Sequence, residues 1–384
     1  MLFKRHRLFR FFGFDVHADG SWLFLIVLLG WSLVTQIFPG RLPGQPDNVY
    51  HLMAVATLFG LAASIIAHEV AHALIAQHYK MPILGITLFI FGGVAEMKGE
   101  PSHPKGEFLM AIAGPAMSLL MGLFFTALAK FAGLPEARNP LQACFDYLAF
   151  INFMIAAANM VPAFPLDGGR ALRAVIWAHK KNLVGATRTA SKLGAAFAYG
   201  ILGYACYVIV MHNNPVSGIW WGLFGLFLHG SAEYAVRQTE GRTLLAGETV
   251  RRFVTPATIT VPSHLTIADF VDRFVSQNYQ RSFAVLDSGR LIGLITVQKV
   301  LALPRDKWPW LYVYSLTEQM SPDNTLPPDF SAADALDMMH RLQRESLLVA
   351  DGQTLIGVVA LRDLMAYLSI SSKVDQDRPV KISR

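Results

Sequence analysis

The chain is short of charge and nearly devoid of cysteine. Charged residues fill 16% of its 384 positions, against roughly a quarter in an ordinary soluble domain. Its two cysteines, Cys144 and Cys206, fall in or beside apolar runs. That excludes a disulfide framework and a cysteine-based zinc ribbon, and leaves both as packing residues. The basic opening MLFKRHRLFRFF is followed by no small-residue cleavage pattern, so the first apolar run is expected to stay as a span. A net charge of +6 calls for no nucleic acid, because the basic residues gather in loops between apolar runs.

Apolar residues are abundant instead, at 53%. Runs of spanning length lie at about 22–38, 51–79, 108–134, 144–163, 192–211 and 218–236. A multi-pass α-helical membrane protein with about six transmembrane helices is expected. Lys4, Arg5, Arg7 and Arg10 precede the first run, and Lys80, Lys98 and Lys105 follow the second. Arg170, Arg173, Lys180, Lys181, Arg188 and Lys192 follow the fourth, while the alternate loops hold little beyond Arg41 and Arg138. Both termini are therefore expected on the cytoplasmic side of a cell membrane. The lack of a transit-like N-terminus points to a prokaryotic one.

After residue 236 charge returns, and short β-branched runs alternate with amphipathic helical ones. The stretch from Phe253 to Leu303 is echoed about 65 residues on: Pro256 answers Pro322, and RLIGLIT answers TLIGVVA. Each copy reads as strand, helix, strand, turn, strand, helix, with SGR and DGQ at the hairpins and Asp351-Gly352 in the second turn. The boundaries expected are 1–236 for the membrane domain and 249–368 for the α/β pair, split into 249–304 and 316–368.

The chemistry concentrates in SIIAHEVAHALIAQ. His68 and His72 are four apart, so on a helix they share a face and can hold one metal ion, with Glu69 beside them to take a proton from metal-bound water. An apolar span rarely carries three ionisable side chains without a functional reason. A catalytic zinc takes a third protein ligand, and the best candidate is Asp167 in NMVPAFPLDGGR, where Pro162 and Pro165 end a span at the membrane edge. Pro162, Pro165, Gly168 and Gly169 read as backbone shapers that aim Asp167. ILGITLFIFGGVAEM alternates and then breaks at Gly92-Gly93, which suits a short sheet at the membrane edge or a re-entrant loop. Glu96, Glu100 and Glu107 read as solvated loop carboxylates, and Gly114 of AGPA as a close helix contact. His229 and Glu233, four apart on the last run, read as a hydrogen-bonded pair.

Together, HEVAH on one span and NMVPAFPLDGGR at the end of a later one resemble the site-2 protease family of intramembrane zinc metalloproteases. GITLFIFGGVAEM, EFLMAIAGPAMS and VHADGSW extend the likeness over residues 14–173. The repeat resembles a tandem pair of CBS modules, and a CBS pair after the last span is similar to one subgroup of that family. The resemblance implies zinc held by His68, His72 and Asp167, with Glu69 as general base in an endopeptidase. It implies Asn159 as a residue holding the substrate strand or the developing oxyanion; a helix-ending role is the alternative. It further implies an edge that pairs with an extended substrate strand, and a membrane-spanning protein as substrate, such as a transcription-factor regulator or signal-peptide remnant. For the CBS pair it implies an adenosine nucleotide, control of access to the site, and a homo-oligomer. Neither copy keeps the whole ribose-contacting pattern Gly-x-x-Thr-x-x-Asp: the first has Gly293 and Thr296 but Lys299, the second Gly357 and Asp363 but Ala360. A CBS-regulated divalent metal or ion transporter is the competing reading.

Overall fold

The computed structural model describes residues 6–11, 13–81, 83–90, 92–97, 99–132, 139–255, 259–278 and 280–376. Lys4, Arg5, Lys98, Arg138 and Pro256, and the Glu96 side chain, lie outside them. The chain divides into two compact units, Met1–Thr239 and Glu240–Arg384.

The first unit opens with a hairpin, β1 (His6–Phe11) and β2 (Phe14–Ala18), followed by α1 (Gly20–Ser32). The basic opening, read above only as a topology signal, thus builds a strand. Asp19 caps α1, its carboxylate accepting the Ser21 amide at 2.9 Å. A π-helical turn (Leu33–Ile37) and α2 (Phe38–Arg41) continue α1, and α3 (Asp47–His78) follows. Strands β3 (Ile83–Phe89) and β4 (Gly92–Met97) make the expected short sheet. Its order is β1-β2-β3-β4, with β2 and β3 parallel and β4 at one edge. Then come α4 (Pro104–Ala132), α5 (Pro140–Asn159), α6 (Asp167–Lys180), α7 (Leu183–Met211) and α8 (Pro215–Leu244).

Among the described residues, five helical segments are long and apolar enough to cross a membrane: Gly20–Arg41, Asp47–His78, Pro104–Ala132, Pro140–Asn159 and Leu183–Met211. The sixth expected run forms α8, a 30-residue helix whose apolar stretch is diluted by Trp220, Trp221, His229 and Glu233. Without a hydrophobic effect between helices in lipid, small residues at contacts let neighbours approach. A Cβ on Gly60 of α3 would sit 2.6 Å from Leu148 of α5, and one on Gly122 of α4 2.7 Å from Phe153. The sheet lies on α3, where Phe14, Val70, Ala73 and Ile86 form one buried cluster.

The second unit repeats one motif. The first copy comprises β5 (Thr260–Pro262), α9 (Ile267–Phe270), β6 (Ser282–Asp287), β7 (Arg290–Thr296), α10 (Val297–Leu301), α11 (Val313–Leu316) and β8 (Glu318–Gln319). The second comprises β9 (Thr325–Leu326), α12 (Ala332–Leu342), β10 (Ser346–Asp351), β11 (Thr354–Ala360) and α13 (Leu361–Gln376). Both expected hairpins form; Ser288 and Gly289 take positive φ in the first turn, as its two-residue length requires. In the second, Asp351 pairs with Thr354, so the turn centres on Gly352 and Gln353.

Candidate metal centre

One turn of α3 carries the buried trio His68, Glu69 and His72. Asp167, the first residue of α6, meets the two histidines. His68 Nε2, His72 Nε2 and Asp167 Oδ2 form a triangle with every side at 3.2 Å. Bonds of about 2.0–2.1 Å to a tetrahedral zinc place neighbouring ligand atoms about 3.3 Å apart. The triangle has that size, and two imidazole nitrogens with one carboxylate oxygen are a donor set zinc accepts.

The rings are held from behind. His72 Nδ1 donates to the Met110 carbonyl at 2.6 Å; a carbonyl only accepts, so Nε2 is the nitrogen turned into the triangle and left free to bind a metal ion once deprotonated. His68 Nδ1 lies 2.8 Å from Ser118 Oγ. Such outer partners fix the tautomer and orientation of metal-binding imidazoles. Both come from α4, as does a third element. A Cβ on Gly114 would fall 2.2 Å from His72 Nε2 and 2.5 Å from His68 Nε2. Gly114 is thus the backbone wall of a cradle that a side chain would fill, more than the plain helix contact expected of it.

Asp167 reaches the site because the preceding loop is tightly folded: the Ala163 amide bonds to the Val161 carbonyl at 2.7 Å and the Leu166 amide to Ala163 at 3.0 Å. A Cβ on Gly168 would meet the Met160 carbonyl at 2.4 Å, so α6 can start against this loop only with glycine there. Burial alone would raise the Asp167 carboxyl, but His72 and His68 facing it hold it well below the usual carboxylate range. Its place at a helix N-terminus also favours the anion.

Glu69 lies beneath β4: a Cβ on Gly93 would sit 2.5 Å from its Cγ and 2.8 Å from Oε1. The glutamate beside the two histidines and the edge strand of the sheet therefore touch. Asn159 is different. Its Nδ2 donates to the Ile155 carbonyl at 3.0 Å, along its own helix, which agrees with the helix-ending alternative. His229 takes Tyr199 as a close partner at 2.7 Å and has Glu233 at 3.9 Å.

Two sequence readings are corrected. Glu107 is fully buried where a solvated carboxylate was expected, and Arg173 is buried where a loop charge was expected. They form an ion pair, Arg173 Nε reaching Glu107 Oε1 at 2.7 Å. Glu100 is half-buried and bonds to Thr239 at 2.8 Å. Nothing in the sequence joins Glu107 to a partner 66 residues away; its mate among six nearby basic residues is chosen by the fold.

Comparison with known proteins gives these features a context. Residues 56–139 and 132–201 match the model of peptidase family M50, and residues 250–306 and 313–370 match the CBS domain. Rip3 of Mycobacterium tuberculosis, named as a zinc metalloprotease, is 30% identical over 366 residues, covering 94% of this chain and 92% of that protein. A zinc metalloprotease of Methanocaldococcus jannaschii is 25% identical over 370 residues, covering 95% of this chain and 96% of its own. A solved site-2 protease from Methanocaldococcus jannaschii matches with 27% identity and a TM-score of 0.43, over 61% of this chain and 95% of that one.

Proposed function

The chain belongs to peptidase family M50, the site-2 zinc metalloproteases, with a CBS pair behind it, and from that premise we propose an intramembrane endopeptidase acting through His68, Glu69, His72 and Asp167. The observation that carries this reading is the equal-sided triangle of Nε2, Nε2 and Oδ2 with Glu69 next to it. His68, His72 and Asp167 would hold the zinc. When bound there, the ion would supply Lewis acidity to a water and to the scissile carbonyl.

This chain's own groups do the rest. Glu69 takes the proton of the attacking water and later returns it to the leaving amine. Met110 and Ser118 keep the two rings aligned, and Gly114 leaves them room. The substrate strand is assigned to the outer edge of β4, since β4 ends the sheet and Gly93 touches Glu69. Main-chain pairing there would hold extended a segment that had been helical in the bilayer. Asn159 in the oxyanion role is the least supported assignment, given its bond to Ile155.

The substrate class is a membrane-spanning protein, whether a transcription-factor regulator or a signal-peptide remnant. The domains are assigned as 1–236 and 249–368, with both termini cytoplasmic in a prokaryotic cell membrane and the CBS pair gating access and able to pair copies of the chain. For an adenosine nucleotide less speaks. Gly293 is already required by packing, since a Cβ there would meet the Glu318 carbonyl at 2.0 Å. Lys299, at the position of the ribose acid, is paired with Glu318 at 3.5 Å.

The test is co-expression with tagged single-span membrane proteins. Glu69→Gln should keep about one zinc per chain and lose cleavage by a factor of at least about 1,000, and Asp167→Ala should lose most of the zinc. Undiminished cleavage by Glu69→Gln would sink the proposal.

A further inference from the structure

Six residues after Asp167, on α6, stands Arg173, and its contacts reach α4, α7 and the loop that delivers the third ligand. Its Nε and Nη2 both bind Glu107 Oε1 on α4, with side-chain exposures of 4% and 0%. Its Nη1 lies 3.4 Å from Thr187 Oγ1 on α7 and 3.4 Å from Glu100 Oε2. Its guanidinium stands 5.3 Å over the ring of Phe164, inside the loop that delivers Asp167.

The spacing along the helices is telling. Glu107 precedes Gly114 by seven residues on α4, two turns or about 10.5 Å. Arg173 follows Asp167 by six residues on α6, about 9 Å. The two helices pack together, so the ion pair and the metal triangle are two bolts about 10 Å apart through the same joint. Helix α4 orients both histidines through Met110 and Ser118, and α6 carries the carboxylate. The distance between those ligands is set by how α6 sits on α4.

We propose that Glu107 and Arg173 are positioning residues for the metal centre: their buried pair, with Phe164 stacked on the guanidinium, fixes Asp167 against His68 and His72. The inference rests on the assignment of those three residues as the ligands. An exposed arginine would serve positive-inside topology equally well; a buried one, paired with a carboxylate on the helix that holds the histidines, has a geometric task. Lysine cannot replace it, because one ammonium offers neither the planar fork toward Glu107 nor the flat face toward Phe164.

The experiment is a double-mutant cycle read by zinc affinity, measured by chelator competition on the full chain in detergent. Arg173→Lys should weaken zinc binding by about 10- to 100-fold. In the Asp167→Ala background the same change should weaken it by less than about twofold, since the ligand it positions is gone. With cobalt as the probe, the d–d absorption of Arg173→Lys should lose intensity relative to wild type, a signature that general loss of stability does not produce in the folded fraction. Equal losses with and without Asp167, or no loss at all, overturn the proposal. Should Arg173→Lys fail to accumulate folded, Glu107→Gln enters the same cycle with the same expected values. Wild type and Asp167→Ala binding zinc equally would refute the ligand assignment itself, a result distinct from a failed coupling.

Discussion

The two units of this chain solve burial in opposite senses. Among the described residues, the buried carboxylate, imidazole and guanidinium side chains belong to the first unit: Asp19, His68, Glu69, His72, Glu107 and Arg173. The same unit exposes Leu23, Phe59, Leu120, Phe131 and Val210. In the second unit Val261, Ile267, Phe270, Phe283, Val285 and Ile295 form a closed apolar core, and the ion pairs, such as Arg281 with Glu345, sit at the surface. Composition alone does not decide what goes inside. Lipid welcomes apolar surface, so a membrane unit can afford to bury charge only where that charge has work; water rejects it, so a soluble unit fills its interior with it.

The strongest test of that contrast is at Gly114. Gly114→Ala should lower zinc affinity by roughly tenfold or more, because the added Cβ overlaps the two Nε2 atoms, while the apolar helix contacts survive; zinc titration in detergent reads it. Unchanged affinity would mean the cradle has slack. On the other side of the contrast, Phe283→Ala should destabilise the second unit by about 3–5 kcal/mol, with zinc per chain unaltered. Hydrogen exchange of β6 and β7 beside metal analysis would show whether the two units fail together. A matched pair sharpens the comparison further. Leu120, 59% exposed on α4, and Leu301, 62% exposed on α10, differ mainly in what surrounds them. Leu120→Asp should cost about 2.5–3.5 kcal/mol of membrane insertion, whereas Leu301→Asp should stay within about 0.5 kcal/mol. Equal effects would place α4 in water.

The smallest effect is expected at Glu318. Burial would raise its carboxyl, but the hydrogen bond from Arg344 and the charge of Lys299 hold it below the ordinary value. A lowered folded value stabilises fully above the unfolded carboxylate range and ceases to do so as pH falls through the folded value. Glu318→Gln should therefore cost under about 1 kcal/mol near neutral pH and nothing in strong acid, measured by hydrogen exchange of the second unit.

How far the sequence reaches follows from the same contrast. HEVAH was legible because an i, i+4 spacing puts both rings on one helix face, and the CBS repeat because hairpin turns leave local signatures. The partner of His68 and His72 was legible as a candidate because two prolines and two glycines bracket Asp167. What local pattern could not carry is pairing across the fold. Glu107 looked solvated and Arg173 looked like one loop charge among several, since sequence displays a charge without its mate. Gly114 looked like packing because the sequence does not say which side chains a glycine faces. The β1 strand was hidden for a related reason: its arginines satisfy a topology rule that is silent on backbone conformation.

The triangle also has a history within each molecule. Asp167 is made 99 residues after His68, which at about 5–20 residues per second is a wait of roughly 5 to 20 s. Throughout that interval the growing chain holds both histidines and Glu69 without the carboxylate that completes the set. The ligand set is complete before α7, α8 and the second unit are made, so those segments emerge beside a finished triangle whereas β1 to α5 emerge before one exists.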